Sequence, residues 1–437
     1  MPERYDEHYV RSVVWMGDGR HVFTNQAIFT TNRIKLVDKG ARINSELFER
    51  LASHKLIPKL DECLSVDNEI TQENLMEHAR ELLAKDHRMS VINQESRTRD
   101  KLLRAIGDIV IIPPLAFKLT VAKDQRPEIY DHSIRVALIA LFLAIKSYFF
   151  SQKELVSFAA AAIFHDLGIL HIPPDLLEPA RKLGKSERHY LYANPITGFL
   201  LLRKFPEYHP EISRTVFEHH ERLDGSGYPR GLKADEICLG AQILMLAEVA
   251  NTVFERSATT KAIAKLSILL RINRQKFNAD LANRLITTLQ GMVVEDDQTD
   301  DEVDVFCGFA SFERSLSEIE QVFQSWYEMQ SLFRQTENGE SQPLLSHIIS
   351  DRIQKLQHSL SYAGFDLQDT KVLTELGRQD QDALLELSIL VGETRWQLSE
   401  IIHEANRRLG DPQHTKEVER TPLMRWIERS EDILSIH

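Results

Sequence analysis

The residues best equipped for chemistry fall in two clusters. One is Phe164-His165-Asp166-Leu167-Gly168; the other is His219-His220-Glu221-Arg222-Leu223-Asp224-Gly225-Ser226-Gly227-Tyr228-Pro229. Imidazoles and carboxylates gathered in this way are ligands for divalent metals. Metals so held hydrolyse phosphodiesters by delivering a nucleophile in line and neutralising charge on the phosphoryl oxygens. A His-Asp dipeptide alone is common by chance. Here it ends an apolar run, Phe158-Ala159-Ala160-Ala161-Ala162-Ile163-Phe164, that reads as a buried helix, where a charged aspartate must be paired or metal-bound. Adjacent side chains on a helix diverge by about 100°, so His219 and His220 are expected to serve two metals across the helix rather than to chelate one. Asp224-Gly225-Ser226-Gly227-Tyr228-Pro229 reads as a turn from its glycines and proline. A plain structural turn explains those residues, but not the double histidine before them.

His132 lies on the helical segment Tyr130-Asp131-His132-Ser133-Ile134-Arg135-Val136, and Glu128, four residues earlier, shares its face. For Glu128 an exposed pair on an ordinary surface helix explains the sequence nearly as well as metal ligation does.

Between roughly Arg126 and Asn283 these motifs, in this order, resemble the HD-GYP family of bacterial cyclic-di-GMP phosphodiesterases. The intervening landmarks are Ile172-Pro173-Pro174-Asp175, Pro195-Ile196-Thr197-Gly198 and Ala241-Gln242-Ile243-Leu244-Met245-Leu246-Ala247-Glu248-Val249. The resemblance implies a mainly α fold with a helical HD-type metallohydrolase domain. It implies two divalent metals, or three, with Fe or Mn the expected identity. It implies His132, His165, Asp166, His219, His220 and Glu248 as ligands, with Asn194 and Glu128 at the edge of the set. His165 and Asp166 are the implied catalytic pair, Asp166 orienting the nucleophile. Arg222, Asp224, Gly225, Gly227, Tyr228 and Pro229, joined by Lys182, fall on the implied substrate side. The implied substrate is cyclic-di-GMP, cleaved to pGpG or GMP, and the implied protein partner of the Gly-Tyr-Pro turn is a diguanylate cyclase domain.

Four positions depart from the family pattern. Ile169 stands where a lysine reaches the substrate phosphate, Asn194 where a further metal-binding histidine is expected, and Glu248 and Asn251 where two aspartates are expected. Glutamate keeps the carboxylate on a longer arm; asparagine offers only a carbonyl oxygen, a poor ligand beside imidazole. Ile169 removes a charge, and losing one such contact to a phosphoryl group costs about a hundredfold or more in rate. Lys182, Lys185, Arg222 and Arg230 are the candidates to replace it. Two readings stay open: a metal-dependent phosphodiesterase with impaired or conditional activity, and an inactive protein that binds a cyclic dinucleotide or a signalling partner. A nucleotide phosphohydrolase of the wider HD superfamily fits the His-Asp pair but not the Gly-Tyr-Pro string.

The elements that must position these groups are mostly helical. Residues 1–70 form a small α+β unit, 71–294 the helical HD-GYP-like domain, 295–310 an acidic linker and 311–437 a C-terminal helical domain. In the first unit, Val10-Arg11-Ser12-Val13-Val14-Trp15-Met16 and His21-Val22-Phe23-Thr24 flank an Asp18-Gly19 and read as a hairpin, with Ile34-Lys35-Leu36-Val37 as a third strand. A helix over Ser45 to His54 packs beneath through Leu47, Phe48 and Leu51. Helical periodicity takes over from about Gln72. The run Glu295 to Glu302 is a solvated boundary, followed by four helices. One of these carries Leu345, Ile349, Ile353, Leu356 and Leu360 on one stripe; another carries Leu384, Leu387, Leu390 and Val391 before Trp396 and Leu398. Such stripes are bundle core, and these helices are the expected surface for a homodimer.

A 437-residue chain that is 43% hydrophobic has room for several cores, and its net charge of −12 argues against collecting DNA by bulk electrostatics. Cys63, Cys238 and Cys307 form no paired motif and suit a reducing compartment. The N-terminus is polar, and the apolar stretch from Val136 to Phe150 is interrupted by Lys146. A cytoplasmic protein without a membrane span is expected.

Overall fold

The computed structural model describes residues 6–148, 150–177, 185–256, 259–290, 302–336, 344–365, 369–409 and 422–435. It is mainly α, as expected. The chain divides into two compact units, Met1–Thr259 with Gln275–Val294, and Thr260–Arg274 with Glu295–His437.

The first unit opens differently from the sequence expectation. Val10 to Met16 is no strand; it lies in helix α1 (Glu7–Gly19). The apolar residues explain why. Tyr9, Val10, Val13, Val14 and Gly17 recur at three- and four-residue steps and are all buried, a helical rather than an alternating period. The Asp18-Gly19 pair ends that helix instead of turning a hairpin. β1 (Val22–Thr24) pairs antiparallel with the distant β5 (Leu64–Val66), placing Val22 opposite Val66. β2 (Ile28–Thr30) sits between β3 (Lys35–Val37) and β4 (Leu56–Ile57), antiparallel to both. The helix expected over Ser45 to His54 is a 3-10 turn, Ser45–Leu47, running into the short α2 (Phe48–Ala52); Leu51 is its buried anchor. A further short helix, α3 (Leu60–Cys63), leads into β5.

Helices then run in succession: α4 (Gln72–Lys85), α5 (Ser90–Gln94), α6 (Ser96–Gly107), α7 (Pro113–Gln125), α8 (Pro127–Ser147), α9 (Gln152–Phe164), α10 (Lys185–Leu202), α11 (Pro210–Glu218) and α12 (Leu239–Arg256). α14 (Ala279–Gln290) returns to this unit. Their starts are written locally. Thr71 caps α4 and Ser151 caps α9, each in a reciprocal capping box, and prolines open α7, α8 and α11, where the missing N–H costs nothing. α8 is the central helix: every residue from Val136 to Ala144 is buried, enclosed by α9, α12, α7 and α14. Gln152–His171 is long and apolar enough to cross a membrane, and most of it is buried inside this unit.

The second unit contains α13 (Thr259–Ile272), α15 (Glu302–Thr336), α16 (Leu344–Tyr362), α17 (Thr370–Gln379), α18 (Gln381–Leu409) and α19 (Pro422–Leu434). Beyond the acidic run there are thus five described helices rather than four, and Glu302 to residue 310 is helix; residues 295–301 lie outside the described residues. Leu345, Ile349, Ile353, Leu356 and Leu360 are buried together with Leu384, Leu387, Leu390, Val391 and Leu398. Trp396 points away from that stripe and is 57% exposed. Trp326 and Trp426 meet edge to face at 4.8 Å in the core.

Candidate metal centre

The centre is built from the ends of two helices and the flanks of two others. α9 stops at Phe164, which leaves His165 as its C-cap and Asp166 just beyond. α11 stops at Glu218, with His219 as its C-cap and His220 in the following turn. The two caps do the same job. His165 Nδ1 lies 2.7 Å from the carbonyl of Ala162, and His219 Nδ1 lies 2.7 Å from the carbonyl of Val216. Each contact uses a free carbonyl of the last helical turn as acceptor, so Nδ1 carries a proton and Nε2 is the nitrogen left to ligate once the ring is neutral. Fixing the tautomer by a backbone carbonyl is how ligating histidines are oriented.

Those nitrogens converge on two carboxylates. His165 Nε2 lies 2.6 Å from Glu248 Oε1 and 3.3 Å from Asp166 Oδ2. His132 Nε2, from α8, lies 3.2 Å from Glu248 Oε2 and 3.6 Å from Asp166 Oδ2. His219 Nε2 approaches Asp166 Oδ1 at 3.9 Å. Two candidate ligand groups result, one of His132, His165, Asp166 and Glu248, the other of Asp166, His219 and His220. Within each, the ligand atoms lie within 4.8 Å of one another, and Asp166 belongs to both. The expectation that His219 and His220 diverge is corrected here. Because α11 has already ended, their rings come to 3.9 Å and join one group.

The donor set fits divalent metals. His165 Nε2, His219 Nε2 and Glu248 Oε1 are buried, yet none has a hydrogen-bond partner of proper geometry. Buried polar atoms are rarely left so, and imidazoles with carboxylates are the common ligands of Fe, Mn and Zn. Without metal, protons hold the charges apart. Burial disfavours the imidazolium of His165, but Asp166 and Glu248 outweigh it and raise the group to about 10. His132 is likewise raised against its burial by Glu248, Glu255 and Asp166. Burial and the neighbouring charged histidine push His219 down to about 4, and His220 also falls. Asp166 and Glu248 stay ionised in spite of burial because the histidines face them.

The remaining expected residues sort clearly. Asn194, on α10, is buried and donates from Nδ2 to Asp166 Oδ1 at 2.7 Å, so it braces a candidate ligand. Glu128 is removed from the set: it is exposed in the first turn of α8, with its carboxylate 2.6 Å from Arg126 Nε. Ile169 lies in the 3-10 turn Leu167–His171, directly after Asp166. Lys182 lies outside the described residues. Arg230 is tied to Glu218 and stacked on Phe217, which takes it out of use as a phosphate contact. Arg222 lies over Phe277, is half-buried, and has its charge disfavoured by burial while Tyr228 and Glu248 favour it. Asp224 Oδ1 accepts from Ser226 N and Oγ, closing the turn rather than reaching the cluster. Gly225 has φ +81°, and a Cβ on Gly227 would sit 2.3 Å from the Glu221 backbone, so both glycines serve the turn's shape. Tyr228 and Pro229 are joined by a cis peptide, and Tyr228 stacks on His220 with ring centroids 4.7 Å apart.

Asn251, where the resemblance expects an aspartate, lies behind His132 with its Nδ2 3.0 Å from the ring Nδ1, and it also donates to Glu255. Several supporting residues carry no part in the sequence reading; Glu255 is one, and its helical spacing from Glu248 is the signal that points to it. Glu221 is buried and accepts from the backbone N–H groups of Arg230 and Leu232, while Glu218 accepts from Cys238 N; these two clamp the Gly-Tyr-Pro turn to α11 and α12. Tyr192 lies against Tyr228, its ring tilted by 35° with centroids 4.4 Å apart, and extends an aromatic row to His220.

Residues 120–281 match the HD domain family. The 3'3'-cGAMP-specific phosphodiesterase 3 of Vibrio cholerae is 33% identical over 133 residues, 30% of this chain and 28% of that protein. A probable cyclic di-GMP phosphodiesterase of the same organism is 28% identical over 38% of this chain and 41% of its own length. The cyclic di-GMP phosphodiesterase response regulator RpfG of Xanthomonas campestris is 35% identical over 24% of this chain and 28% of its own. The chain thus spans less than half the length of each of these relatives. A solved structure, Bd1817, a HDG"Y"P protein from Bdellovibrio bacteriovorus, aligns at 17% identity over 62% of this chain and 95% of that one, with a TM-score of 0.36 that is too low to bear on the fold. Helices that converge histidines and carboxylates on one buried aspartate define an HD domain with a candidate divalent-metal site. Residues 120–281 thus form a domain of the HD family, and the relatives similar to it include proteins named cyclic di-GMP phosphodiesterases.

Proposed function

We propose that this chain hydrolyses the phosphodiester bonds of cyclic di-GMP, giving pGpG or GMP. The observation that carries the reading is the convergence of His132, His165, His219 and Glu248 on Asp166, with His165 Nε2, His219 Nε2 and Glu248 Oε1 buried and lacking hydrogen-bond partners of proper geometry. His132, His165, Asp166 and Glu248 would hold one metal, and Asp166, His219 and His220 a second, Fe or Mn by ligand type. Such metals, when bound, activate water as the nucleophile and neutralise charge on the phosphoryl oxygens.

The chain's own groups do the rest. Asp166 faces both ligand groups, so it orients the attacking oxygen between them, and Asn194 holds its carboxylate in place. The carbonyls of Ala162 and Val216 keep His165 and His219 in the ligating tautomer. The row Tyr192–Tyr228–His220 offers stacking faces for a guanine base. Arg222 is the described cation set to meet a phosphate oxygen where Ile169 has replaced lysine. The exposed turn at Asp224 and Ser226 suits a protein partner such as a diguanylate cyclase domain, and the second unit suits self-association. Free thiols at Cys63 and Cys238 accord with the cytoplasm.

The test is an anaerobic incubation of the Mn- or Fe-loaded protein with cyclic di-GMP, products being resolved as pGpG and GMP. Product is expected from the native sequence and is expected to vanish in His165→Ala and His219→Ala. No product from a fully metal-loaded protein would overturn the proposal.

A further inference from the structure

We propose that the cavity between α1, α7 and α10 is a second binding site, one that takes a small organic anion with an apolar body, such as an aromatic carboxylate. The cavity holds about 340 Å³, at the small end of ligand sites, and it is lined by residues of the N-terminal segment and of the HD domain within one compact unit. It is separate from the candidate metal centre and shares none of that centre's ligands.

Its floor is a lysine that folding has buried. Lys118, on α7, is 2% exposed, and its Nζ lies 3.7 Å from the centre of the Tyr9 ring and 3.1 Å from His171 Nε2. An ammonium can only donate, so His171 Nε2 is the acceptor. The His171 proton therefore sits on Nδ1, which donates to Asp6 Oδ1 at 2.6 Å. The histidine and the ring face engage two of the three ammonium protons. The nearest carboxylate, Asp61, is 4.0 Å away, beyond hydrogen-bond reach. A buried ammonium short of an acceptor is costly, and a ligand carboxylate in the cavity supplies one. Tyr9 also borders the cavity, and its hydroxyl is buried without a hydrogen-bond partner.

The surrounding charge and surface select the ligand class. Lys55 and Lys59 stand at the cavity rim, exposed and without an ion pair among the described residues; Lys204 is paired with Glu62 at 3.2 Å. Lys55, Lys59 and Lys118 face Asp6 and Asp61, which leaves an excess of positive charge. The walls between are apolar, and Leu200 is half exposed at 50% although it borders the cavity. A cationic floor and rim joined by aliphatic walls match a carboxylate on an apolar body.

The experiment is a calorimetric titration of the full chain with 2-naphthoate, and in parallel with 2-naphthalenemethanol, which has the same rings and no charge. The expected result is saturable one-site binding of the acid, about tenfold or more tighter than the alcohol. That binding is expected to be lost in Lys118→Met and weakened in Lys55→Glu/Lys59→Glu. The double variant alters exposed side chains, so it decides the matter should Lys118→Met fail to fold. No saturable binding of the acid, equal binding of acid and alcohol, or undiminished binding in the folded double variant would each overturn the proposal.

Discussion

Asn194 Nδ2 donates to Asp166 Oδ1 across 2.7 Å, joining the middle of α10 to the carboxylate shared by both ligand groups. The contact is enclosed. A Cβ at Gly168 would lie 2.4 Å from the Asn194 carbonyl oxygen, so no larger residue fits between the 3-10 turn and α10. The amide thus fixes the rotamer of Asp166 where the family pattern would place another imidazole.

Removing that brace has a defined cost. Asn194→Ala leaves Asp166 free to rotate, and loss of such a supporting contact weakens metal binding by about 10- to 100-fold. A competition titration against a chelator measures it. An unchanged affinity would show that Asp166 is held by its histidine neighbours alone.

Ile169 follows Asp166 by three residues in the turn Leu167–His171 and is half-buried there. Ile169→Lys returns a cation beside the centre and is expected to raise kcat/KM for cyclic di-GMP by about tenfold or more. Steady-state kinetics of the metal-loaded variant checks this. No gain would mean that Arg222 already supplies the charge.

Metal loading should release protons. In the metal-free protein Asp166 and Glu248 hold His132 and His165 as imidazolium at neutral pH, the latter up to about 10. Ligation needs the neutral ring, so about two protons leave at pH 7, and affinity falls as acidity rises. For the metal-free fold the sign is opposite. The raised histidines stabilise it below their unfolded pKa, and that contribution disappears as pH climbs through about 10. Titrating Mn into lightly buffered protein with a pH indicator reads the release; loading without proton release would contradict the charge assignment.

Glu221 is buried and accepts from the backbone N–H groups of Arg230 and Leu232. Glu221→Ala removes both charged-group hydrogen bonds and is expected to cost about 3 kcal/mol or more. The first unit should show it as a lower denaturation midpoint, with Glu221→Gln intermediate. A midpoint unchanged in Glu221→Ala would mean that the Gly-Tyr-Pro turn is held by its glycines and by the stacking of Tyr228 on His220.

The site was legible wherever chemistry dictated residue type. His165 and Asp166 stand out because they close an apolar run, His219 and His220 because a turn does not explain a double histidine, and the structure brings all four together with His132 and Glu248. What escaped depended on where helices stop. α11 ends at Glu218, so the two histidines share a group that regular helix geometry would have split. Glu128 has the spacing of a ligand, but it sits in an exposed first turn, which spacing does not reveal. α1 was misread because Val10, Val13 and Val14 have strand-forming side chains; their three- and four-residue recurrence decided the outcome over that propensity. Tyr192 joins Tyr228 only through tertiary contact and carries no local signal.

Asp166 belongs to both candidate ligand groups, so it would be shared by two metals if each group holds one. Anomalous scattering from crystals of the Mn- or Fe-loaded protein, collected at the metal edge, tests it most directly. Two peaks are expected about 3.5–4 Å apart, flanking Asp166, with His132, His165 and Glu248 around one and His219 and His220 around the other. No peak at Asp166, in protein whose metal content is otherwise established, would contradict it.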